Sequence, residues 1–403
     1  MFGMADAARN PWLTIIGIGE DGPAGLSEAS RIAIANAEIV IGARRHLDLL
    51  PDLPCPAQAW PVPFDTGILA EARGKRVVML ASGDPFWFGA GSVATRSLAA
   101  GEWRAHPAPS TFALAASRLG WPLEQVECLA LHAAPITRLR PRIVPGVRAI
   151  ILVRDGAAAL DFGRYLTGLG FGPSRIRVLE ALGGPRERIR DTDAANLRFD
   201  DIAHPVALAV TFAGGGRCLP QASGIPDDWF DHDGQITKRP VRALTLSALA
   251  PRPGELLWDI GAGSGSIGIE WLLAHPSTRA MGFERDPVRA ARARDNAAML
   301  GVDRLTVVTG EAPAILDGQP LPDAIFVGGG LSDGLLTWLT THLPAGTRMV
   351  ANAVTLESEA LLAHWHAERG GTLLRIELSE AAPLGDRRGW RAGYPVVQWG
   401  GVL

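Results

Sequence analysis

The segment that most constrains this chain is residues 256–286, LLWDIGAGSGSIGIEWLLAHPSTRAMGFERD. The apolar run Leu256–Trp258 predicts a short buried parallel strand that Asp259 closes. A helical pattern over Ile267–Ala274 leads to a second apolar run, Ala280–Phe283, which ends at Glu284. Between the first strand and the helix stand three glycines at alternate positions, Gly261, Gly263 and Gly265. The pattern is one βαβ unit whose glycine-rich turn brings a nucleotide-like ligand to the carboxyl ends of strands.

The spacing of these glycines separates two kinds of ligand. A dinucleotide fingerprint needs a third glycine where this chain has Ser266. The pattern Asp-x-Gly-x-Gly-x-Gly instead resembles motif I of the class I S-adenosylmethionine-dependent methyltransferases. That resemblance implies that Asp259 and the glycine loop border the methionine part of the cofactor. Glu284 lies 23 positions after Gly261, a suitable place for an acid that accepts the ribose hydroxyls.

Length and charge limit the remaining possibilities. A chain of 403 residues is long enough for roughly two to three domains. The formal net charge of −3 favours neither nucleic acid nor an anionic membrane as a partner. The chain has three cysteines, far apart and without a CxxC pair, so we expect no disulfide framework and no metal site. It also shows no signal-like pattern, and we therefore expect a cytoplasmic protein.

The first half of the chain alternates apolar strands with helices, which predicts a mostly parallel, helix-covered sheet. Strands at Trp12–Ile18 and Val77–Ala81 each run into a tight glycine turn, and such turns lie side by side at a sheet edge. The proline-rich stretch 51–63 is predicted to be a surface loop. The charged stretch 183–201 is predicted to be a loop, a hairpin arm or a dimer contact.

Residues 12–212 resemble the tetrapyrrole (precorrin) methylase family. The matching segments are IIGIGEDGPAGLSEASR, LASGDPFWFGAG and HPAPSTFALAASRLGWP, in the order that the family has. The resemblance implies two α/β subdomains with S-adenosylmethionine in the cleft between them. Two positions depart from the family pattern, Glu20 where proline is usual and Ala108 where glycine is usual. The positions carried over as cofactor or substrate contacts are Gly17, Gly19, Gly83, Asp84, Ser110 and Thr111.

A glycine-rich stretch, AGGGRCLPQASG, precedes what looks like a fresh domain start. The residues after it resemble the stand-alone decarboxylating precorrin methyltransferases through IPDDWF, GEAP, VGGG and NAVTLE. The expected fold is therefore α/β throughout, a tetrapyrrole-methylase fold followed by a Rossmann-like methyltransferase fold. The predicted limits are 1–212 for the first domain, 213–224 for a linker and 225–403 for the second domain.

The same resemblance assigns further roles in the second domain. Glu311 and Ala312 are expected beside the adenine, and Gly328 and Gly329 near the transferred methyl group. The chemistry of methyl transfer requires alignment more than a nucleophilic triad, and none is evident. The residues expected to contact substrate or serve catalysis are Thr237, Lys238, Asn352 and Arg242, the last because precorrins carry many carboxylates.

The two halves together resemble the bifunctional precorrin methyltransferases of cobalamin biosynthesis. This implies two S-adenosylmethionine sites, methylation of precorrin-6Y at C5 by the first domain and at C15 by the second, and loss of the ring C acetate carboxyl to give precorrin-8. It also implies a homo-oligomer. Another tetrapyrrole intermediate remains the main alternative substrate. A nucleic-acid methyltransferase is disfavoured because Val327–Gly330 stands where its catalytic motif belongs, and a cofactor-binding module without turnover is the third alternative.

Overall fold

The computed structural model describes residues 11–403, so the first ten residues of the predicted 1–212 domain lie outside the described residues. The chain divides into two compact units. The first contains the described residues up to Ala134 together with Val144–Arg217, and the second contains Pro135–Ile143 together with Cys218–Leu403. The nine residues from Pro135 to Ile143, which the sequence did not single out, thus belong with the second unit. In that unit Arg138 makes a two-pronged ion pair with Asp303, at 2.7 and 3.0 Å.

The first sheet of the first unit is five-stranded and parallel, in the order β3-β2-β4-β1-β5. Its strands are β1 (Leu13–Ile18), β2 (Ile39–Gly42), β3 (Ala57–Ala59), β4 (Val77–Ser82) and β5 (Trp103–His106). The associated helices are α1 (Glu28–Ala35), α2 (Arg44–Asp48), α3 (Gly67–Glu71) and α4 (Gly91–Ala94). The next helix, α5 (Thr111–Leu119), packs against the second sheet of this unit. Strand β3 lies within the stretch 51–63 that was predicted to be a loop. It is an exposed edge strand joined to β2 by backbone pairing, so no apolar pattern marks it.

The second sheet of this unit has the order β6-β7-β10-β8-β9 and is mostly antiparallel. Its strands are β6 (Glu127–Ala130), β7 (Arg148–Val153), β8 (Arg175–Glu180), β9 (Arg188–Asp193) and β10 (Val206–Thr211), and helix α6 (Gly156–Gly168) accompanies them. The expectation of a mostly parallel sheet is therefore right for the first sheet and wrong for the second. Alternation along a strand does not reveal its direction. Within 183–201 the hairpin alternative is correct, because β9 pairs antiparallel with β8.

The second unit is built on a seven-stranded sheet in the order β13-β12-β11-β14-β15-β19-β16, with β19 antiparallel to both of its neighbours. The strands are β11 (Leu256–Ile260), β12 (Arg279–Glu284), β13 (Thr306–Thr309), β14 (Ala324–Val327), β15 (Arg348–Ala353), β16 (Thr372–Ile376) and β19 (Val396–Val402). A separate hairpin consists of β17 (Ser379–Leu384) and β18 (Arg387–Ala392). The helices are α7 (Arg239–Leu249), α8 (Ser266–Ala274), α9 (Pro287–Met299), α10 (Asp333–His342) and α11 (Leu356–Arg369).

Strand β11 shows how this sheet buries both faces. Leu257 belongs to one apolar cluster, whereas Trp258 and Ile260 belong to the cluster on the other face. Strand order reverses at β11, because β12 and β13 lie on one side of it and β14 and β15 on the other. Such a reversal opens a crevice at the carboxyl ends of the strands. Within residues 11–403, no helix is long and apolar enough to cross a membrane.

Candidate functional site

The crevice of the second unit is formed by backbone in a conformation that favours glycine. Gly261, Gly263 and Gly265 have φ values of +74°, +56° and +77°. A Cβ atom on Gly261 would lie 2.6 Å from the backbone nitrogen of Gly329, so the turns after β11 and β14 are in contact. The structure therefore brings Gly328 and Gly329 beside the glycine turn, and the Gly328 N–H donates to the Ile260 carbonyl at 2.9 Å.

Asp259 lies one residue before the end of β11 and does not close the strand as predicted. Its side chain is 1% exposed, and Oδ2 accepts a hydrogen bond from the Gly268 N–H at 2.9 Å. Oδ1 has no hydrogen-bond partner within the described residues. Burial raises the pKa of this carboxyl to about 7, and the nearby Glu284 adds to that effect, while the Gly268 hydrogen bond opposes it.

Glu284, at the end of β12, is held beside the same turn. Its Oε2 accepts from the Gly263 N–H at 2.8 Å, and its Oε1 accepts from the Asp286 N–H at 3.0 Å. Each carboxylate oxygen accommodates more than one donor, so both retain acceptor capacity for a pair of hydroxyl groups. The Gly310 N–H donates to the Glu284 carbonyl at 2.9 Å, which brings the exposed Glu311 and the half-buried Ala312 to this edge as well.

These features fit the cofactor implied by the sequence. An unpartnered buried carboxylate oxygen is costly unless a donor pairs with it, and the α-ammonium group of S-adenosylmethionine is such a donor. Gly261, Gly263 and Gly265 carry no side chain that would occupy the turn between β11 and α8. The individual contacts of Asp259, Glu284, Glu311 and Gly328 with the cofactor stay predictions.

The substrate candidates of this unit have different environments. Lys238 is exposed and precedes the first turn of α7, and Thr237 is half-buried beside it. Asn352 lies within β15. Its Nδ2 donates to the Thr245 hydroxyl at 3.0 Å, and its Oδ1 accepts from Gln398 Nε2 at 2.9 Å. Sequence reasoning missed Thr245 and Gln398, because nothing local to α7 or β19 indicates that they meet Asn352.

Arg242 is buried and does not serve as a free substrate-binding group. Its side chain is 0% exposed, and its Nε donates to Glu270 Oε1 at 2.5 Å. It also binds Asp227 at 3.0 Å and the carbonyls of Thr237 and Ile225. The expectation that Arg242 contacts substrate is wrong, because these acceptors hold its guanidinium inside the fold.

The first unit contains a cavity of about 440 Å³ at the ends of β1 and β4. Of the predicted contacts, Gly19, Gly83, Asp84, Ser110 and Thr111 line it. Gly17 does not line this cavity. A Cβ at position 17 would lie 1.9 Å from the Gly83 carbonyl oxygen, so this glycine permits the close approach of β1 and the turn that follows β4. The Ser110 hydroxyl caps α5 by accepting from the Ala113 N–H at 3.1 Å.

One wall of this cavity carries a polar cluster that sequence reasoning missed, formed by Glu20, Arg45, His46 and Ser82. The Arg45 guanidinium binds Glu20 and donates to the Ser82 hydroxyl at 2.9 Å. His46 Nε2 lies 2.9 Å from the same hydroxyl. Burial, and then the adjacent Arg45, lower the pKa of His46 to about 4, so this imidazole is neutral at physiological pH. The one available signal was Glu20, which stands where the family usually has proline.

Both halves of the chain match known families. Residues 12–198 match the family described as Tetrapyrrole (Corrin/Porphyrin) Methylases, and residues 228–402 match the Precorrin methyltransferase domain. A solved structure, the C-terminal domain of precorrin-6Y C5,15-methyltransferase from Rhodobacter capsulatus, is 53% identical and covers 46% of this chain and 100% of that chain, with a TM-score of 0.45.

Curated relatives extend the similarity. Cobalt-precorrin-6B C(15)-methyltransferase (decarboxylating) of Salmonella typhimurium is 34% identical over 167 residues, 40% of this chain and 85% of the relative. Precorrin-6Y C(5,15)-methyltransferase [decarboxylating] of Sinorhizobium sp is 51% identical over 400 residues, 98% of this chain and 97% of the relative. The predicted fold, a tetrapyrrole-methylase part followed by a Rossmann-like methyltransferase domain, is thus confirmed. The chain belongs to the family of decarboxylating precorrin-6Y C(5,15)-methyltransferases.

Proposed function

We propose that this chain methylates precorrin-6Y at C5 and C15 and removes the carboxyl group of the ring C acetate, giving precorrin-8 in cobalamin biosynthesis. The observation that carries the proposal is the 51% identity to a relative of that name over 98% of this chain. Two glycine-lined strand-end sites, one in each unit, support two methyl transfers in one chain.

The C15 methylation and the decarboxylation are assigned to the second unit. A relative named for these two reactions matches over only 167 residues, about the length of one domain, so they need only one half of this chain. The segments IPDDWF and NAVTLE, which resemble those of the stand-alone decarboxylating precorrin methyltransferases, lie in the second half of this chain. The C5 methylation then belongs to the first unit and its cavity.

Each unit is proposed to bind S-adenosylmethionine, which supplies an electrophilic methyl group and carries its own leaving group. The protein's task is to align the acceptor carbon and exclude water. In the second unit, Asp259 is proposed to pair with the ammonium group and Glu284 with the ribose hydroxyls. Asn352, with its amide held by Thr245 and Gln398, is proposed to face the substrate.

Loss of the acetate carboxyl requires no added oxidant or metal. The electron pair of the breaking carbon–carboxyl bond flows into the conjugated, protonated macrocycle, and carbon dioxide leaves. A pocket that buries the substrate carboxylate without a cationic partner favours this step, because an uncompensated buried charge is costly. Arg242, which binds Asp227 and Glu270, does not supply such a partner.

We also propose that the chain forms a homo-oligomer in the cytoplasm. The β17–β18 hairpin pairs with no other strand of the described chain and exposes Leu384 and Trp390, which are 70% and 79% exposed. Such exposed apolar groups on a hairpin outside the main sheet suit contact with a second copy. Light scattering should show smaller particles for Trp390→Ala but not for the matched change Leu356→Ala, at a side chain that is also 79% exposed. Identical masses for the wild type and Trp390→Ala contradict this role of the hairpin.

The activity is tested by mass spectrometry of precorrin-6Y incubated with the protein and methyl-labelled S-adenosylmethionine. The expected product has gained two labelled methyl groups and lost one carbon dioxide. If the substrate is unchanged although both sites bind S-adenosylhomocysteine, the substrate assignment is wrong and another tetrapyrrole takes its place.

Two variants that block one site each assign the reactions. At Gly263 an added Cβ meets no atom closer than 3.8 Å, so Gly263→Arg fills the crevice without a backbone clash. The remaining strain is that of a side chain at a φ of +56°, about 1–2 kcal/mol. At Gly19 the nearest atom is a carboxylate oxygen of Asp21, which can rotate away, so Gly19→Arg serves the first unit. Gly263→Arg should abolish C15 methylation and decarboxylation together. A Gly263→Arg protein that still decarboxylates contradicts the assignment of that step to the second unit.

A further inference from the structure

The lining of the cavity in the first unit combines two chemically different kinds of side chain. The first kind is aromatic, from Trp60, Phe64, Trp87 and Phe88, and the centroids of the Trp60 and Phe64 rings are 4.9 Å apart. The second kind is the polar cluster described above, which includes Arg45. Aromatic surface and a guanidinium group in one cavity suit a ligand that combines a ring system with acidic side chains.

Arg45 is held in place from two directions. Its Nη1 donates to Glu20, whose side chain is only 6% exposed. Its Nη2 donates to the Ser82 hydroxyl at 2.9 Å and lies 3.0 Å from His46 Nε2. A guanidinium fixed in this way loses little conformational freedom when a carboxylate binds to it.

The charge of Arg45 is not fully neutralised by Glu20. The Glu20 carboxylate also binds Arg186, through Oε2 at 3.0 Å, so one acid is shared between two guanidinium groups. His46 contributes no competing positive charge, because its lowered pKa leaves it neutral. Arg186 does not line the cavity and is 61% exposed, whereas Arg45 lines the cavity and is 29% exposed. Arg45 is therefore the member of the pair that can reach a ligand.

We propose that Arg45 binds a carboxylate group of a ligand in the cavity of the first unit, and that Glu20 is a positioning residue that holds it there. The carboxylate is an acetate or propionate side chain of the tetrapyrrole, with the methionine carboxylate of S-adenosylmethionine as the other source of the same chemistry. The proposal rests on the proposed function for the tetrapyrrole and adds the site that recognises its acidic side chain. It also explains why an acid stands at position 20.

The test compares Arg45→Met with the matched control Arg186→Met. Both variants remove one partner of Glu20, but only the first removes a cavity-lining guanidinium. Binding of precorrin-6Y is measured by ultrafiltration from the pigment's absorbance, which needs no turnover. Binding of S-adenosylhomocysteine is measured by calorimetry in proteins that also carry Gly263→Arg. This substitution blocks the site of the second unit, so the titration reports only the site of the first unit.

Loss of a charge-assisted hydrogen bond should weaken binding at the affected site by about 10- to 100-fold. Weaker binding of precorrin-6Y alone in Arg45→Met identifies the tetrapyrrole side chain as the source. Weaker binding of S-adenosylhomocysteine alone identifies the cofactor's carboxylate. If Arg45→Met binds both ligands as tightly as Arg186→Met does, the proposal is overturned. A wild type that binds no precorrin-6Y overturns the proposed substrate and, with it, the tetrapyrrole as the source.

Glu20→Gln tests the positioning role. If Glu20 only orients Arg45, the variant should raise KM for precorrin-6Y in C5 methylation by roughly 10-fold and leave kcat near the wild-type value. A merely structural role would lower the melting temperature and reduce the amount of active protein with KM unchanged. That second pattern overturns the assignment of Glu20.

Discussion

Replacing Asp259 with asparagine should stabilise the protein without ligand at neutral pH, although it removes a group proposed to bind the cofactor. Burial raises the pKa of Asp259 from 3.8 to about 7, so the folded protein binds this proton more tightly than the unfolded chain does. At about 1.4 kcal/mol per pKa unit, that difference corresponds to about 4 kcal/mol against the ionised form. Asparagine has nearly the same shape and never carries the charge.

The raised pKa of Asp259 determines the pH range over which the unfolding free energy changes. Because the pKa in the folded state is raised, ionisation of Asp259 lowers the wild-type stability progressively from about pH 4 to about pH 7. The unfolding free energy of Asp259→Asn minus that of the wild type should therefore grow across this window and become constant above about pH 7. Contributions of titrating groups that do not interact with Asp259 cancel in this difference.

The assay is urea unfolding of both proteins at several pH values between 4 and 8.5, followed by tryptophan fluorescence. Calorimetric titration with S-adenosylhomocysteine accompanies it. Wild-type affinity at the second unit should fall as pH drops below about 7, because the protonated carboxyl no longer attracts the ammonium group, and Asp259→Asn should bind weakly with no such dependence. A stability difference that stays constant from pH 4 to 8.5 refutes the reasoning, since the carboxyl would then be ionised throughout.

Two further predictions concern glycine packing and the buried ion pair. Gly261→Ala should reduce the number of S-adenosylhomocysteine molecules bound per chain from two to one, because the added Cβ would lie 2.6 Å from a backbone atom. The control Gly254→Ala has a similar φ of +86° but no atom within 4 Å of the added Cβ, so this variant should still bind two. Equal stoichiometry in both variants contradicts the close-packing argument. Arg242→Met should destabilise the second unit by about 3–5 kcal/mol, because it leaves Glu270 buried without its cation, while the 70%-exposed Arg164→Ala should change stability by less than about 0.5 kcal/mol. Thermal unfolding of the two variants decides this, and similar melting temperatures contradict a central role for the buried pair.

Local sequence was sufficient for the elements that carry the site of the second unit. The apolar run before Gly261 and the run before Glu284 became β11 and β12, and the glycine spacing placed the turn between β11 and α8 correctly. These predictions succeed because burial on both faces and positive φ each demand particular residue types at particular positions.

Interactions between segments that are far apart in the chain were harder to predict from the sequence. Strand β3 exists through backbone pairing with β2 and has no apolar signature of its own. The antiparallel direction of β10 follows from the route of the chain, and alternation is the same in either direction. Residue limits for the two domains stay a prediction.

The sequence by itself determined the family, the two methylase folds and the glycine turns, because those depend on residue types at fixed local spacing. Only the tertiary structure decided which charged side chains are available to a ligand. Arg242 and Arg45 look alike in sequence, yet one is buried against Glu270 and the other lines a cavity. The difference arises from the partners that surround each guanidinium after folding. Those partners come from segments far apart in the chain, so no local pattern records them.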